Sequence, residues 1–153
     1  MNISIEKKIF SEAIHTVSRF AERKNTTLPI LSSILIIAAD DGIKIRATNL
    51  ETGIDLKIEG ENIQKGVVAI PAVILQQITN SLTHEGKINI EHHGENVSFV
   101  SGTGKSLIKT IPHEDFPSIP FPENPQNRII IPGVLLRSLF TSIAFCASPS
   151  TVR

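Results

Sequence analysis

Hydrophobic positions along the chain follow two different periods in different segments. Between residues 43 and 59, isoleucine, leucine and alanine alternate with charged or hydroxyl-bearing side chains. Alternation with a period of two is typical of antiparallel strands that bury one face only. Residues 7–21 and 71–82 instead carry apolar side chains three and four positions apart, which predicts two amphipathic helices. The pattern therefore favours an α+β fold with helices on one face of antiparallel sheets.

The chain contains an internal repeat. The succession of a strand, a helix and three strands occurs in residues 2–59 and again in about 67–111. The stretches VVAIPAVILQQITNSL and RIIIPGVLLRSLFTSI also share a strand, an Ile-Pro pair and a helical pattern. The second stretch begins at residue 128 and predicts the opening of a third unit, because repeated units recur as whole supersecondary elements. We therefore expect the natural protein to continue beyond Arg153.

The stretch SGTGKS at residues 101–106 resembles the end of a phosphate-binding loop. The P-loop pattern requires a glycine five positions before Gly104, and Phe99 occupies that position. The flanking segments NVSFVS and KSLIKTI alternate like strands, which predicts a hairpin with its turn at GTG. A P-loop enzyme is one alternative function, and it would require Lys105 to bind phosphate.

Composition limits the classes of function. The formal net charge is zero, which argues against a protein that holds nucleic acid by bulk electrostatics, although a local basic patch is compatible with it. Seven phenylalanines without tryptophan or tyrosine would make a poor base-stacking platform. No apolar run is long enough for a membrane span, and the single cysteine, Cys146, suits a reducing cytoplasm. We expect no metal and no cofactor.

Few residues suggest a chemical site. His92 and His93 are adjacent in a predicted strand, so their side chains point to opposite faces, and a polar strand explains them better than a shared metal ion. No arrangement of catalytic residues follows from the spacing. A basic cluster on the first helix and the following loop is either a solvated face or a contact with phosphates. Its members are Lys7, Lys8, Arg19, Arg23 and Lys24.

Several short motifs, in their order, resemble one family. Across all 153 residues the chain is similar to the bacterial sliding clamp, the beta subunit of DNA polymerase III. The stretch 113–127 is rich in Pro and Asn and has no periodicity, which predicts a linker. The resemblance places this stretch at a domain boundary. The motifs that carry the resemblance are TLPIL at 27–31, ATNLETGI at 47–54, AIPA at 69–72 and SLIKTIPHEDFPSIP at 106–120.

The resemblance implies a fold and a function. In this family each subunit has three domains of two β-α-β-β-β units, and two subunits close into a ring with helices around the hole. It implies a first clamp domain at 1–120, a linker at 121–127 and an incomplete second domain at 128–153. The implied function is a non-enzymatic processivity factor, cytoplasmic and nucleoid-associated. It would encircle duplex DNA without sequence preference and work with DNA polymerase III and the clamp loader. The alternative is an adaptor that uses the clamp fold without forming a ring.

The resemblance also implies contact residues. The DNA-contacting loop before TLPIL falls on Arg23, Lys24 and Asn25, and a second DNA-proximal stretch ends at Arg153. Val73 and Ile74 stand where some relatives carry a basic pair. The implied subunit interface contains Ile74, Ile78 and Leu82 on the second helix, with Lys105 and Ile108 on a nearby strand. The helical stripe is equally explained by the core of the domain, and the two explanations are compatible.

Overall fold

The computed structural model describes residues 1–22, 28–82, 86–119 and 129–147. The chain divides into two units, Met1–Ile119 and Pro120–Arg153. Within the described residues, no helix has the length and apolar character required to cross a lipid bilayer. The strands are β1 (Asn2–Glu6), β2 (Ser33–Ala39), β3 (Gly42–Thr48), β4 (Gly53–Ile58), β5 (Glu61–Gln64), β6 (Gly66–Pro71), β7 (Lys87–His93), β8 (Asn96–Ser101) and β9 (Gly104–Lys109), and the α-helices are α1 (Lys7–Val17), α2 (Ala72–Ser81) and α3 (Gly133–Ile143).

The two repeats of the first unit exchange their first strands. The first sheet has the order β5-β1-β7-β8-β9, and the second sheet has the order β4-β3-β2-β6. Strand β1 therefore pairs with β7 of the second repeat, while β6 pairs with β2 of the first repeat, both antiparallel. The predicted succession of strand, helix and three strands is confirmed in both repeats. Neither repeat can complete its sheet without the other.

The core lies where both sheets meet the two helices. In the first sheet, Ile3, Ile90 and Phe99 occupy neighbouring register positions, and all three are buried. The rings of Phe10 on α1 and Phe99 on β8 lie 6.1 Å apart between centroids, which is within the range of a favourable aromatic pair. The helices each bury one stripe: Phe10, Ala13, Ile14 and Val17 on α1, and Ala72, Leu75, Ile78 and Thr79 on α2.

The hairpin predicted at GTG is confirmed. Ser101 of β8 is opposite Gly104 of β9, and Gly102 in the turn has a φ of 58°, which favours glycine. Phe99, in the place of the first P-loop glycine, is buried in the core. Because a strand follows Gly104 where a phosphate-binding loop would require a helix, the P-loop interpretation is wrong.

A second hydrophobic cluster covers part of the outer face of the second sheet. Leu35 and Ala69 are opposite each other in β2 and β6, and both point away from the main core. The 3-10 turn Pro29–Ser32 covers them, and Phe116 packs beside it. The outer face of this sheet is therefore covered in part, at β2 and β6, and Phe116 shows that the stretch predicted as a linker contains, near its start, a residue that packs on the domain.

Two local features differ from the predicted pattern. Helix α1 ends at Val17 instead of residue 21, and at its C-cap the Ser18 hydroxyl donates to the His15 carbonyl at 3.2 Å. The short strand β5 was not predicted. Its four residues are all exposed and show no alternation of polar and apolar side chains, so only their pairing with β1 makes them a strand.

We expect Phe99→Ala to lower the free energy of unfolding by about 3–5 kcal/mol, because it leaves a cavity against Phe10 in the core. Leu107→Ala on the adjacent strand is the matched control, since the Leu107 side chain is 67% exposed. Urea unfolding of both variants measures the difference. Equal destabilisation by the two substitutions would show that the Phe10–Phe99 contact does not stabilise the fold.

Candidate nucleic-acid and subunit interfaces

Helices α1 and α2 lie side by side and form one helical surface. They contact each other, and the Gln76 side-chain amide on α2 donates to the Ser18 hydroxyl at the end of α1 at 2.6 Å. Because each helix buries one stripe in the core, each turns its opposite face to solvent. The exposed residues of this helical surface are Lys8, Glu12, His15 and Thr16 on α1, Arg19 just after it, and Val73, Gln77, Asn80 and Ser81 on α2.

The helical surface carries few charges, and α1 with its C-terminal turn supplies all of them. Lys8 and Arg19 are its cations, and Glu12 is its anion. A guanidinium nitrogen of Arg19 lies 3.1 Å from Nε2 of His15, one helical turn earlier. On α2, Val73 is 63% exposed and Ile74 packs against the core, so the position of the basic pair found in some relatives contributes no charge.

The predicted DNA-contacting residues lie outside the described residues. Arg23, Lys24 and Asn25 belong to the segment 23–27, and Arg153 belongs to 148–153. The described residues on either side of segment 23–27 are anchored. The Glu22 N–H donates to the Leu31 carbonyl at 2.8 Å, and the Leu31 N–H donates to the Leu28 carbonyl at 3.1 Å. Glu22 and Leu28, the described residues that flank that segment, are therefore both held next to Leu31.

The predicted interface residues differ in how deeply they are buried. Ile78 and Ile108 are only 7% and 8% exposed and belong to the main core, so burial within the domain accounts for them. Ile74 and Leu82 are partly buried against the same core. Lys105 is exposed on β9. Of the five residues, Lys105 alone has its side chain mainly in solvent.

Strand β9 is the outermost strand of the first sheet, so one side of its backbone has no strand partner within that sheet. Such an edge can pair with a strand from another chain. Next to Lys105 on the same strand, the Leu107 side chain is 67% exposed. Sequence reasoning missed Leu107, although the alternation around the buried Ile108 places its neighbour on the opposite face.

A groove of about 470 Å³ lies beside β6. The His92 side chain is half-buried in its wall, whereas His93 is exposed, in agreement with opposite faces for the two histidines. Burial, together with the positive amino group of Met1, lowers the pKa of the His92 imidazole below its ordinary value. Among the described residues, no group of three or more His, Cys, Asp or Glu side chains is arranged to hold a metal ion.

Solved structures of sliding clamps share this fold. A DNA polymerase sliding clamp from Bacillus subtilis aligns over 100% of this chain with a TM-score of 0.88 and 25% identity, and the alignment covers 42% of that chain. The beta subunit from a Streptococcus pyogenes DNA polymerase aligns over 100% with a TM-score of 0.86 and 26% identity, covering 41% of that chain. These neighbours support the α+β clamp fold predicted from the sequence.

Sequence comparison agrees with the structural likeness. The beta sliding clamp of Caulobacter vibrioides is 30% identical over 76% of this chain and 32% of its own length. That of Bacillus subtilis is 27% identical over 100% of this chain and 42% of its own length. The chain thus spans well under half the length of these relatives.

The family model described as "DNA polymerase III beta subunit, N-terminal domain" matches residues 1–120, which covers the whole first unit and more than half of the chain. Together with the shared fold, this match confirms the resemblance inferred from the motifs, and the chain belongs to the DNA polymerase III beta subunit family.

Proposed function

We propose that this chain is the N-terminal part of a sliding clamp, a DNA replication factor that encircles duplex DNA and tethers the replicative polymerase. The helical surface of α1 and α2 carries this proposal, because it is an exposed face with few charges in a chain of the beta subunit family. In the proposal this surface faces the duplex. The proposal also includes Arg23, Lys24, Asn25 and Arg153 among the residues that contact DNA.

The low charge of the helical surface suits a protein that slides. Each phosphate neutralised by a lysine or arginine adds a salt-dependent contact, and many such contacts would hold a protein in place. Lys8 and Arg19, partly offset by Glu12, provide only a weak attraction of this kind. A closed ring needs no more, because it leaves the DNA only when it opens or reaches an end.

The domain organisation in this proposal follows the repeat. Residues 1–120 form the first clamp domain, 121–127 form the linker, and 128–153 open the second domain. Helix α3 repeats the beginning of α2, since each follows an Ile-Pro pair and has the proline at its N-cap. Within the second unit, no residue of α3 is buried, although the helix is rich in apolar side chains. Strands from a further part of the protein would cover them.

The proposal places a subunit contact at β9. A second subunit would extend the first sheet at this edge, with Lys105 opposite acidic side chains and with Ile74 and Leu82 at the margin. Ile78 and Ile108 would support the contact from the core rather than touch the partner. The full-length protein would thus be a homodimeric ring in the cytoplasm, associated with the nucleoid. It would bind DNA polymerase III and the clamp loader and have no catalytic site of its own.

We expect the complete protein, loaded by a clamp loader, to remain on nicked circular DNA and to be lost after the circle is linearised. A ring has no lateral exit from a circle, whereas it slides off an open end. Gel filtration of the DNA-bound fraction before and after restriction cleavage measures retention. Linear DNA with both ends blocked by a bound protein is the control, and it should retain the ring. Equal retention on open linear and circular DNA would indicate binding by direct contact, and no retention on either would favour the adaptor without a ring.

We expect the double substitution Arg23→Glu and Lys24→Glu in the complete protein to reduce loading on DNA several-fold, with a larger loss at low salt, because it replaces attraction to phosphates by repulsion. Its effect on the unfolding midpoint should be small, as both residues lie in a polar loop of the sequence.

Lys57→Glu with Lys65→Glu is the matched control, since it makes the same change of net charge on two exposed residues, one on β4 and one between β5 and β6. Loading rates and urea midpoints are measured for both double variants. If the two double variants load equally well, the segment 23–27 has no specific role in contacting DNA.

A further inference from the structure

Strand β6 is an edge strand that the chain covers only in part. It closes one side of the second sheet, next to β2. On its other side, an isolated antiparallel bridge joins Ala69 to Ile111, and the Ile111 N–H donates to the Ala69 carbonyl at 3.0 Å. The carbonyl of Ala69 therefore points away from β2, and the segment around Ile111 occupies the position of one further strand at this point.

The segment around Ile111 pairs with β6 at Ala69 but does not extend along the strand as far as Val67. In an antiparallel strand, residues two apart direct their backbone groups to the same side, so the N–H and C=O of Val67 also point away from β2. Continuing the bridge by two residues would place His113 opposite Val67. Instead, Pro112 is followed by the 3-10 turn His113–Asp115, which takes the chain away from β6. Among the described residues, none bonds to the outward backbone groups of Val67.

The groove of about 470 Å³ lies at this interruption, and its volume is in the range of roughly 300–1,000 Å³ typical of ligand sites. We call it the β6 groove. Its apolar lining is Val67, Val68, Ile111 and Pro112, and its polar lining includes His92, Glu95, Lys109, His113 and Glu114.

The charged groups at the β6 groove are of both signs, and the exposed carboxylate of Glu114 lies at its rim. The Lys109 ammonium lies 3.1 Å from the Glu95 carboxylate, so these two charges largely offset each other. The Glu114 side chain is 72% exposed, and its nearest ionisable partner among the described residues is the ring of His113 at 3.7 Å. Burial and the positive amino group of Met1 lower the pKa of the His92 imidazole, which favours its neutral form.

We propose that the β6 groove binds an extended segment of another protein, which adds to β6 as a strand at Val67 and carries an apolar side chain next to a lysine or arginine. The outward N–H and C=O of Val67 require an extended backbone as partner. The valine, isoleucine and proline lining requires an apolar side chain, and the Glu114 carboxylate at the rim is complementary to a cation. All of these residues lie in the first unit, so the site is complete within it.

The direct test is a titration of the chain of 153 residues into a fluorescein-labelled hexapeptide of alternating valine and lysine, capped at both ends, followed by fluorescence anisotropy. We expect saturable binding. The same peptide with a methyl group on the backbone nitrogens of its two central residues should bind about tenfold more weakly, because a strand partner needs those N–H groups. A peptide of alternating valine and glutamate should also bind more weakly.

Substitutions in the chain test the same contact between the β6 groove and the peptide. Val67→Pro removes the outward N–H but no hydrogen bond to β2, and an edge strand tolerates proline at such a position, so we expect folding to persist and peptide affinity to fall about tenfold. Glu114→Lys should weaken binding several-fold, most strongly at low salt. Glu51→Lys, which changes an exposed glutamate in the β3–β4 turn, is the matched control and should bind like the natural chain. Circular dichroism and urea midpoints confirm that each variant is folded.

Three outcomes would overturn the proposal. One is the absence of saturable binding at millimolar concentrations of the chain. Another is equal affinity for the natural and the N-methylated peptide, which would exclude strand addition. The third is self-association of the chain that competes with the peptide and is abolished by Val67→Pro, which would identify a second copy as the occupant of the groove.

Discussion

The exchange of first strands between the two repeats is the constraint on which the first unit depends. Strand β1 is held between β5 and β7, and β6 is held beside β2, so each sheet combines strands from both repeats. Helices α1 and α2 each follow directly after an exchanged strand. The exchange therefore brings α1 and α2 together on one side, where the Gln76–Ser18 hydrogen bond joins them, and it creates the helical surface to which we assign the duplex.

Two of the motifs that indicate the family, TLPIL at 27–31 and the stretch 106–120, stabilise the fold rather than supply chemical groups. The TLPIL segment includes the turn that buries Ile30 and Leu31 against Leu35, and Phe116 near the end of the first unit packs on the same cluster. This cluster covers the outer face of the second sheet. To reach it, the chain bonds to Ala69 through Ile111 and then turns away at Pro112. The β6 groove follows from this path, because the chain leaves the edge of the sheet before His113 can pair with the backbone N–H and C=O of Val67.

In the proposed function the protein stays on DNA by enclosing the duplex, so its low net charge is no disadvantage. A protein with zero formal net charge is poorly suited to hold DNA by attraction, yet a ring has no need of strong attraction. The described helical surface agrees with a weak attraction to DNA, since its charged residues are few and mixed in sign. The β6 groove, with the Glu114 carboxylate at its rim, is a separate surface, and the binding that we propose for it does not require contact with DNA.

The sequence by itself determined the local structure and the family of this protein. Period-two alternation predicted the strands, and apolar side chains three and four positions apart predicted the helices. Because Phe99 stands where a P-loop requires a glycine, SGTGKS was better explained as a hairpin than as a nucleotide-binding loop. Each of these features depends on residues close together along the chain. Tertiary structure decided the rest: the exchange of β1 and β6, the pairing that makes exposed β5 a strand, and the burial of Ile78 and Ile108 in the core. It also decided that Val67 would lack a partner. These features depend on contacts between residues distant in sequence, and periodicity along one segment carries no information about which distant segment will lie beside it.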